Sequence, residues 1–427
     1  MWNESNTAQG IVEINDPAIQ EWIDFRCWTL TTRLAECARF ARSINKEVVI
    51  ETNPHGLVGS NRAWETGINH PDLMQYTNVI WTEDDNNPKW ENGVSTGKFR
   101  HYKLGRTTNN FIMTYNSTPQ DWAENLALNR TIANSGGRRG AGKQYLDFYV
   151  ANKDLYTNVQ GAERVAVLRS YPSMAYNTKD THVAVNMAEQ TLQQKQVPFD
   201  IIFDQQINQL EKYYVIILAD QESLTDEVMA ALKAFAKKGG GLVMTENTGT
   251  LDGWRRIRKV SMMNEMLKEQ GLPVPERPEI YRNEPINVSS FIYGSGRVIY
   301  LPELERPSMN ITLGYASRWM MPGNADELEA AVYWAAGKRL PLQIIAPGWL
   351  GVSHDNQKNR DIIHLFTYNA DRNVTGVTLQ YDGIVKNVWA ISPDEKTKTT
   401  LSVVAKGGIS EIRVPDFNVY KVVVLEK

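Results

Sequence analysis

The first clear pattern in the chain is a long stretch with apolar residues at helical spacing. It covers residues 16–47, and its apolar positions are Ile19, Ile23, Leu30, Leu34, Cys37, Phe40 and Ile44. Asp16 is well placed as the N-cap, and Pro17 suits the first helical position. The pattern therefore predicts one long amphipathic helix.

Short apolar runs then alternate with helical patterns. The runs at Val48–Glu51, Val79–Glu83 and Phe111–Tyr115 predict strands, and a fourth strand, weak or lost, is expected around residues 136–142. Helical patterns cover residues 61–76, 98–109 and 119–136. This alternation indicates parallel βαβ units, with polar and aromatic residues at the strand ends where a β/α barrel carries its site. A closed barrel has eight strands, so a late start of the chain, a partner that supplies the rest and an open sheet all remain possible.

A second alternating series follows a bridging helical pattern over residues 145–159. The runs RVAVLRS, FDIIFD, YYVIILAD, GLVMTEN and GRVIYLPE predict strands separated by helices, hence a doubly wound α/β domain. From Leu340 onward, short strands separated by turns predict a small antiparallel β-sandwich. We therefore expect three domains, at residues 1–157, 158–339 and 340–427.

Composition narrows the range of partners. The chain has 427 residues, 42% of them hydrophobic, which is enough for several cores, and a net charge of -3 with scattered Lys and Arg gives no reason to expect nucleic acid. No apolar run has the length of a membrane span, and Met1–Gly10 lacks the pattern of a signal peptide. We expect a cytoplasmic protein as written, or a periplasmic or secreted one if the true amino terminus lies upstream.

Cysteine and histidine positions argue against a disulfide and against a metal. Cys27 and Cys37 lie about 15 Å apart along one predicted helix, so they cannot pair, and both are expected to be buried apolar side chains. His354 and His364 have no carboxylate or thiolate partner at ligand spacing. We predict no metal and no cofactor.

The segments QEWIDFRCW, VVIETNPHG, VIWTEDDNN and FIMTYNS resemble the second half of the barrel of glycoside hydrolase family 42 β-galactosidases and related hypothetical glycosyl hydrolases. The segment LEKYYVIILADQESLTDEVMAALKAFAKKGGGLVMTENTGTLDG resembles their trimerisation domain, and HLFTYN, WAISPD and VPDFNVYKVVVLE are similar to their terminal β domain. The resemblance implies an α/β fold made of a partial (β/α)8 TIM-type barrel, a flavodoxin-like or class I amidotransferase-like doubly wound domain and a small antiparallel β-sandwich. It also implies a homotrimer or another homo-oligomer acting on a carbohydrate substrate.

The same resemblance bears on catalysis. In family 42 the acid/base is a Glu after strand four, which would fall before Met1, and the nucleophile is a Glu after strand seven, where FIMTYNS has no carboxylate. Other barrel glycosidases, such as α-fucosidases and α-galactosidases, take their acid/base from about strand six. Glu83, Asp84 and Asp85 would suit that arrangement.

Glycoside hydrolysis needs two carboxyl groups that flank the sugar. The candidates at strand ends are Glu51 and Glu83–Asp85, of which Glu83 is nearest to its strand and is our choice, with repulsion expected to raise at least one pKa in the cluster. The alternative for the cluster is a solvated acidic turn. Residues suited to hydrogen-bonding or stacking on a sugar surround these acids. They are Asn53, His55, Arg62, Trp81, Asp84, Tyr115 and Asn116.

The residues around the acids also have a structural alternative to sugar binding: His55 could pack a loop, and Trp81 could belong to the core. Residues 161–338 contain no cysteine, which excludes the thiol chemistry of an amidotransferase, and Gly239–Gly241 end a helix instead of cradling a phosphate. Our leading hypothesis is a β-galactosidase-like glycoside hydrolase acting on oligo- or polysaccharides, truncated and inactive alone if the first half of the barrel is missing. The rival is a non-catalytic carbohydrate-binding or oligomerisation protein.

Overall fold

The structure is a computed structural model, and it describes residues 12–54, 56–57, 61–83, 87–115, 117–132, 140–274, 290–307, 319–395 and 397–427. Its α-helices are α1 (Pro17–Ile44), α2 (Arg62–Thr66), α3 (His70–Leu73), α4 (Phe99–Thr108), α5 (Pro119–Asn129), α6 (Ala141–Ala151), α7 (Tyr171–Ala175), α8 (Asp180–Gln194), α9 (Asp226–Lys237), α10 (Met262–Glu269) and α11 (Ala325–Ala336). Short 3₁₀ helices cover Met74–Tyr76, Lys153–Leu155 and Asp204–Lys212. The predicted mixture of helices and sheets is confirmed.

The strands of the described residues fall into five sheets. Those before residue 250 are β1 (Glu51–Thr52), β2 (Val79–Trp81), β3 (Lys89–Glu91), β4 (Val94–Thr96), β5 (Phe111–Met113), β6 (Gln160–Gly161), β7 (Val165–Arg169), β8 (Phe199–Phe203), β9 (Val215–Leu218) and β10 (Gly241–Thr245). Those after it are β11 (Ser290–Tyr293), β12 (Gly296–Leu301), β13 (Leu342–Ile345), β14 (Leu350–Gln357), β15 (Arg360–Thr367), β16 (Thr378–Asp382), β17 (Asn387–Ile391), β18 (Thr399–Thr400), β19 (Val403–Lys406), β20 (Ile409–Arg413) and β21 (Tyr420–Glu426).

Helix α1 begins where the capping residues predict. The Asp16 carboxylate accepts a hydrogen bond of 2.9 Å from the backbone N–H of Ala18, and Pro17 opens the helix. Cys27 is buried as expected, but the predicted burial of Cys37 is wrong, since this residue is exposed. Ten residues at 3.6 per turn rotate a side chain by about 80°, which takes Cys37 out of the buried face.

Strands β1, β2 and β5 form a three-stranded parallel sheet in the order β1-β2-β5, as the alternation predicts. Ile80 and Ile112 are buried on the face that packs against α4 and α5, in the same apolar cluster as side chains of these helices. Its other face exposes Phe111, about half of whose surface is accessible. The predicted fourth strand at residues 136–142 falls mostly outside the described residues, and α6 begins at Ala141.

Two elements near this sheet differ from the prediction. The single helix predicted over residues 61–76 is divided into α2, α3 and a 3₁₀ turn, because Gly67 ends α2 in the left-handed conformation with φ 71°. The hairpin β3–β4 was not expected, although its turn is Asn92-Gly93 with φ 53° and 77°, as type I′ turns require. The flanking runs of three residues were too short to show a strand period.

The middle of the chain forms a six-stranded sheet in the order β11-β12-β10-β9-β7-β8. Its strands are parallel except for β11, which pairs antiparallel with β12 at one edge. Alternate residues of β7 belong to separate apolar clusters, with Val165 and Val167 in one and Ala166 and Leu168 in the other. Both faces of the sheet are thus covered, which explains the continuous apolar runs.

Two antiparallel sheets follow, in the orders β13-β16-β20-β19 and β18-β17-β21-β15-β14-β6. Both contribute side chains to one apolar cluster, to which Leu379 and Ile412 come from the first sheet and Ile363 and Val423 from the second. Pro347-Gly348 separates β13 from β14, which belong to different sheets. No helix of the described residues is long and apolar enough to cross a membrane.

Candidate functional site

The open face of the first sheet brings together most of the predicted site residues. Glu51 pairs with Val79, which pairs with Phe111, and partners in a parallel register share a face. By the two-residue period of a strand, Asn53 and Trp81 lie on this same face. Both acids proposed from the sequence, Glu51 and Glu83, have exposed side chains.

The carboxyl edge of this face is made of Glu83 and two rings. The Trp81 and Tyr115 rings meet edge to face with centroids 5.4 Å apart. The Thr82 N–H donates to the Met113 carbonyl oxygen at 3.0 Å, which extends the pairing of β2 and β5 and sets Glu83 level with Tyr115. A carboxylate beside flat apolar surfaces is an arrangement that suits a sugar ring.

The Trp81 indole N–H has no hydrogen-bond acceptor among the described residues. Its Nε1 atom is buried. A buried donor normally finds an acceptor, because leaving one unpaired costs about 1–3 kcal/mol. An acceptor from a bound molecule or from further polypeptide would relieve this cost.

Glu51 lies deeper than Glu83. In the observed register it is level with Val79, four residues before Glu83 on the neighbouring strand. At about 4.8 Å between strands and about 3.3 Å per residue, the Cα atoms of the two acids are about 14 Å apart. The two carboxyl groups approach the spacing needed for catalysis only if both side chains point towards each other.

Arg62 lies away from this face. Its guanidinium pairs with Glu65 at 3.2 Å and lines a cavity of about 70 Å³, together with His70, Arg169 and Asp204. Burial raises the pKa of Asp204 to about 6. His55, Asp84 and Asn116, also predicted site residues, lie outside the described residues.

Glu124 is an acid that sequence reasoning missed. It lies on α5, wholly buried, and accepts hydrogen bonds from the Lys98 backbone N–H at 3.0 Å and the Tyr368 hydroxyl at 2.9 Å. Burial raises the pKa of this carboxyl to about 7. Helix α5 covers the outer side of the sheet, so Glu124 joins this helix to the carboxyl-terminal strands.

The turn after β9 is the strand end at which the sequence resemblance would put the thiol of an amidotransferase. Asp220 occupies it with φ 46°, a left-handed conformation that is strained for a residue with a side chain. Its N–H donates to the Thr245 hydroxyl at 3.0 Å, and its carboxylate accepts from the Asn247 N–H at 3.2 Å. The turn is tight and internally bonded. Among the described residues there is also no group of three His, Cys, Asp or Glu that could hold a metal.

Comparisons with family models, curated proteins and solved structures show what this chain is similar to. Residues 176–301 match the family model of the beta-galactosidase trimerisation domain. The comparison with curated proteins found no match.

Among solved structures, a catalytic mutant of a GH42 beta-galactosidase from G. stearothermophilus has 13% sequence identity and a TM-score of 0.58, covering 91% of this chain and 65% of its own. The cold-adapted beta-galactosidase from Rahnella sp. R3 has 12% identity and a TM-score of 0.60, covering 95% and 68%. An alpha-L-fucosidase from Paenibacillus thiaminolyticus has 17% identity and a TM-score of 0.56, covering 93% and 70%.

The chain thus spans about two thirds of the length of each of these enzymes. Identities this low show a shared fold and nothing finer. Together with the matched trimerisation segment, they are consistent with a GH42-like protein.

Proposed function

We propose that this chain is the larger part of a glycoside hydrolase, β-galactosidase-like in architecture, that hydrolyses O-glycosidic bonds of oligo- or polysaccharides. Its residues 1–157 would form part of a (β/α)8 barrel, residues 158–339 an amidotransferase-like trimerisation domain and residues 340–427 a β-sandwich. The observation that carries the proposal is the arrangement of Glu83, Trp81 and Tyr115 at the carboxyl edge of an open parallel sheet.

In this proposal Glu83 is a catalytic carboxyl group beside an aromatic wall, and Asn53, Trp81 and Tyr115 contact the sugar. His55, Asp84 and Asn116 lie outside the described residues and stay sugar-binding candidates by their positions in the sequence. Arg62, which lines a separate cavity, would act only by holding the neighbouring loop.

The second carboxyl group is the weaker part of the site. Glu51 is the candidate within the chain, but its Cα atom lies about 14 Å from that of Glu83, whereas retaining enzymes hold their carboxyl groups about 5–5.5 Å apart and inverting enzymes about 6.5–9.5 Å apart. The pair Glu51–Glu83 is therefore better suited to inversion. Additional β/α units that close the barrel would supply further candidates.

The open face of the sheet supports completion of the barrel by further β/α units. Val49, Phe111 and Tyr115 expose half or more of their surface there, and apolar side chains of this kind fill the interior of a closed barrel. The matched family segment also supports a homo-oligomer, with a trimer as the first expectation.

A second candidate is a non-catalytic carbohydrate-binding or oligomerisation protein. This candidate is favoured because the segment FIMTYNS, which covers β5 (Phe111–Met113) and the residues just after it, has no carboxylate. It predicts sugar binding without hydrolysis, or neither.

Hydrolysis of a panel of aryl glycosides, galactosides and fucosides first, tests the proposal. The Glu83→Gln variant is expected to lose at least 100-fold in kcat/KM, as general acid–base groups contribute about 10²–10⁴-fold. Glu91→Gln is the matched control, since Glu91 is an exposed acid on the nearby hairpin, paired with Lys89.

The outcomes separate the candidates. No turnover of any glycoside, or turnover that is unaffected by Glu83→Gln, overturns catalysis by this acid. Calorimetric titration with the same sugars then distinguishes a binding protein, which releases heat that Trp81→Ala abolishes, from an oligomerisation scaffold, which gives no binding signal.

A further inference from the structure

A cavity of about 70 Å³ separates the helices that follow β1 from the six-stranded sheet. Residues of α2 and α3 and of the loops beside them form one wall, and the carboxyl ends of β7 and β8 with α7 form the other. Neither Trp81 nor Glu83 lines it, so it is distinct from the carboxyl edge of the first sheet. We refer to it as the junction cavity. Most of its lining is apolar, and the side chains there include Leu57, Ile68, Met174 and Phe203.

The junction cavity lies where doubly wound domains usually bind their ligands. After β7 the chain adds β8 on one side of that strand and β9 on the other, so the strand order reverses at β7. Open α/β sheets bind ligands in the crevice outside the carboxyl ends of their strands, beside such a reversal. Arg169 is the last residue of β7, Asp204 directly follows β8, and both line the cavity.

Two polar groups of the lining residues are buried without a protein partner. The Asp204 Oδ2 atom accepts from the Tyr171 N–H at 2.9 Å and from the Ser170 hydroxyl at 3.2 Å, but its Oδ1 atom has no hydrogen-bond partner among the described residues. The Arg62 Nη1 group pairs with the Glu65 carboxylate at 3.2 Å, which balances its charge, but the Arg62 Nε–H has no acceptor there either. Since buried polar groups are normally paired, the cavity offers one free acceptor and one free donor.

The charges next to the junction cavity offset each other near neutral pH. The buried Glu189 carboxylate pairs with Arg169 at 2.8 Å and with Arg100 at 2.6 Å, so one carboxylate serves two guanidinium groups and one positive charge is in excess. Burial raises the pKa of Asp204 to about 6, which leaves this acid mostly ionised at pH 7.5 and offsets the excess. Burial also lowers the pKa of His182 to about 4, so its ring is uncharged. An added charge would therefore have no counter-charge in the cavity wall.

We propose that the junction cavity binds a small neutral compound with adjacent hydroxyl groups, either a monosaccharide or a shorter polyol. One hydroxyl group would donate to Asp204 Oδ1 and its neighbour would accept from the Arg62 Nε–H, because a hydroxyl can do both. The carbon skeleton would contact the apolar walls, as in other small-molecule sites. The proposal does not depend on hydrolysis at Glu83.

Hydrogen exchange measured by mass spectrometry tests the proposal on the full chain at pH 7.5, with D-galactose and glycerol as probes. At least one probe is expected to slow the exchange of a peptide that covers Tyr171–Ala175 at least fivefold at saturation, because a ligand of the folded cavity stabilises its walls. Ile409–Arg413 in the β-sandwich should be unaffected, which excludes a general solvent effect. Protection of Val79–Trp81 reports sugar contact at the first sheet separately. Glycerol acting alone would identify a short polyol, and D-galactose acting as well would show that a sugar ring enters.

The variant Asp204→Asn exchanges the free acceptor for a donor without changing the shape of the side chain. Its amide oxygen must replace Oδ2, because the Tyr171 N–H needs an acceptor, and its NH₂ group then takes the place of Oδ1. The probe concentration for half-maximal protection should rise at least 10-fold. Glu227→Gln is the matched control, since Glu227 is an exposed acid whose charge acts on Asp204 but which does not line the cavity.

A second variant tests the donor. Arg62→Lys removes the Nε–H and keeps a positive charge for Glu65, and it should also raise the half-maximal concentration at least 10-fold. Circular dichroism identifies a variant that does not fold, and the other variant then decides.

Three results would overturn the proposal. The first is that neither probe protects Tyr171–Ala175 below molar concentration, which would mean that the cavity holds only water. The second is equal protection in the wild type and both variants. The third is stronger protection by acetate than by either probe, which would make the cavity an anion site. A chain that hydrolyses no glycoside contradicts the proposed function and leaves these outcomes unchanged, so the two proposals fail separately.

Discussion

The buried acid Glu124 is the titratable residue whose environment most clearly ties stability to pH near neutrality. Burial raises its pKa from an ordinary 4.5 to about 7, although the Lys98 N–H and the Tyr368 hydroxyl partly offset the effect. Since the folded state holds this proton more tightly than the unfolded state, stability falls as pH rises from about 4.5 to about 7 and stays at the lower level above it.

We therefore expect Glu124→Gln to remove this loss. The amide keeps an acceptor for the Lys98 N–H and cannot ionise, so the variant should gain stability relative to wild type between pH 4.5 and pH 8, by about 3 kcal/mol at most. Urea unfolding at the two pH values measures the difference, with the exposed Glu91→Gln as control. An equal difference at both values would falsify this account of Glu124.

Glu83 and Glu124 also show what sequence can reveal about single residues. Glu83 follows an apolar run directly, and strand order alone locates it at a sheet edge. Glu124 lies in a helical pattern, and no nearby residue in the sequence signals that it is buried. Its environment depends on Tyr368, which is 244 residues away. Arg62 opens the short helix α2, pairs with Glu65 there and lines a separate cavity, and none of these contacts has a local signal in the sequence.

Among the secondary-structure elements, the most concentrated ionic contact joins α4, the end of α5 and β14. The buried Asp355 carboxylate pairs with Arg106 at 3.1 Å and accepts from the Arg130 Nε–H at 3.0 Å. Glu163 also pairs with Arg106, at 2.8 Å. Burial opposes ionisation, but Arg130 and Arg106 hold the pKa of Asp355 below its ordinary value. This contact therefore stabilises the fold fully at neutral pH and is lost only in acid.

Replacing Asp355 with Asn is expected to lower the free energy of unfolding by about 3–5 kcal/mol, because it leaves two guanidinium groups with one buried partner fewer. The exposed Asp371→Asn is the control and should change it by less than about 0.5 kcal/mol. Chemical denaturation at pH 7 measures both. A small loss for Asp355→Asn would mean that Glu163 alone neutralises the site.

Elements with a strong period were predictable, and those set by distant contacts were not. The stripe of α1 and the apolar runs of β7 to β10 indicate their elements within a few residues, because burial dictates both patterns. The hairpin β3–β4 was not predicted, since strands of three residues are too short to show a period. The break at Gly67 was not predicted either. Strand β6 pairs with β14, and nothing in the two residues Gln160–Gly161 signals that distant partner.

Across the whole molecule, the two parallel sheets differ in how much surrounds them. The six-stranded sheet has apolar clusters on both faces, and β9 lies between two neighbours with all its residues buried. The first sheet has three strands of two or three residues, and among the described residues one of its faces is left uncovered. The first sheet should accordingly open locally more readily than the six-stranded sheet, since local stability follows buried contacts and paired backbone.

Hydrogen exchange should report this difference directly. In the isolated chain, the amides of Val79–Trp81 are expected to exchange at least 100-fold faster than those of Val215–Leu218, although both are central strands of parallel sheets. Mass spectrometry of peptides from the two strands measures the ratio. If further β/α units cover Phe111 and the rest of the open face, protection of Val79–Trp81 must rise while that of Val215–Leu218 stays constant. Equal protection of both strands in the isolated chain would instead show that the three-stranded sheet is stable as it stands, and that barrel completion is not needed to support it.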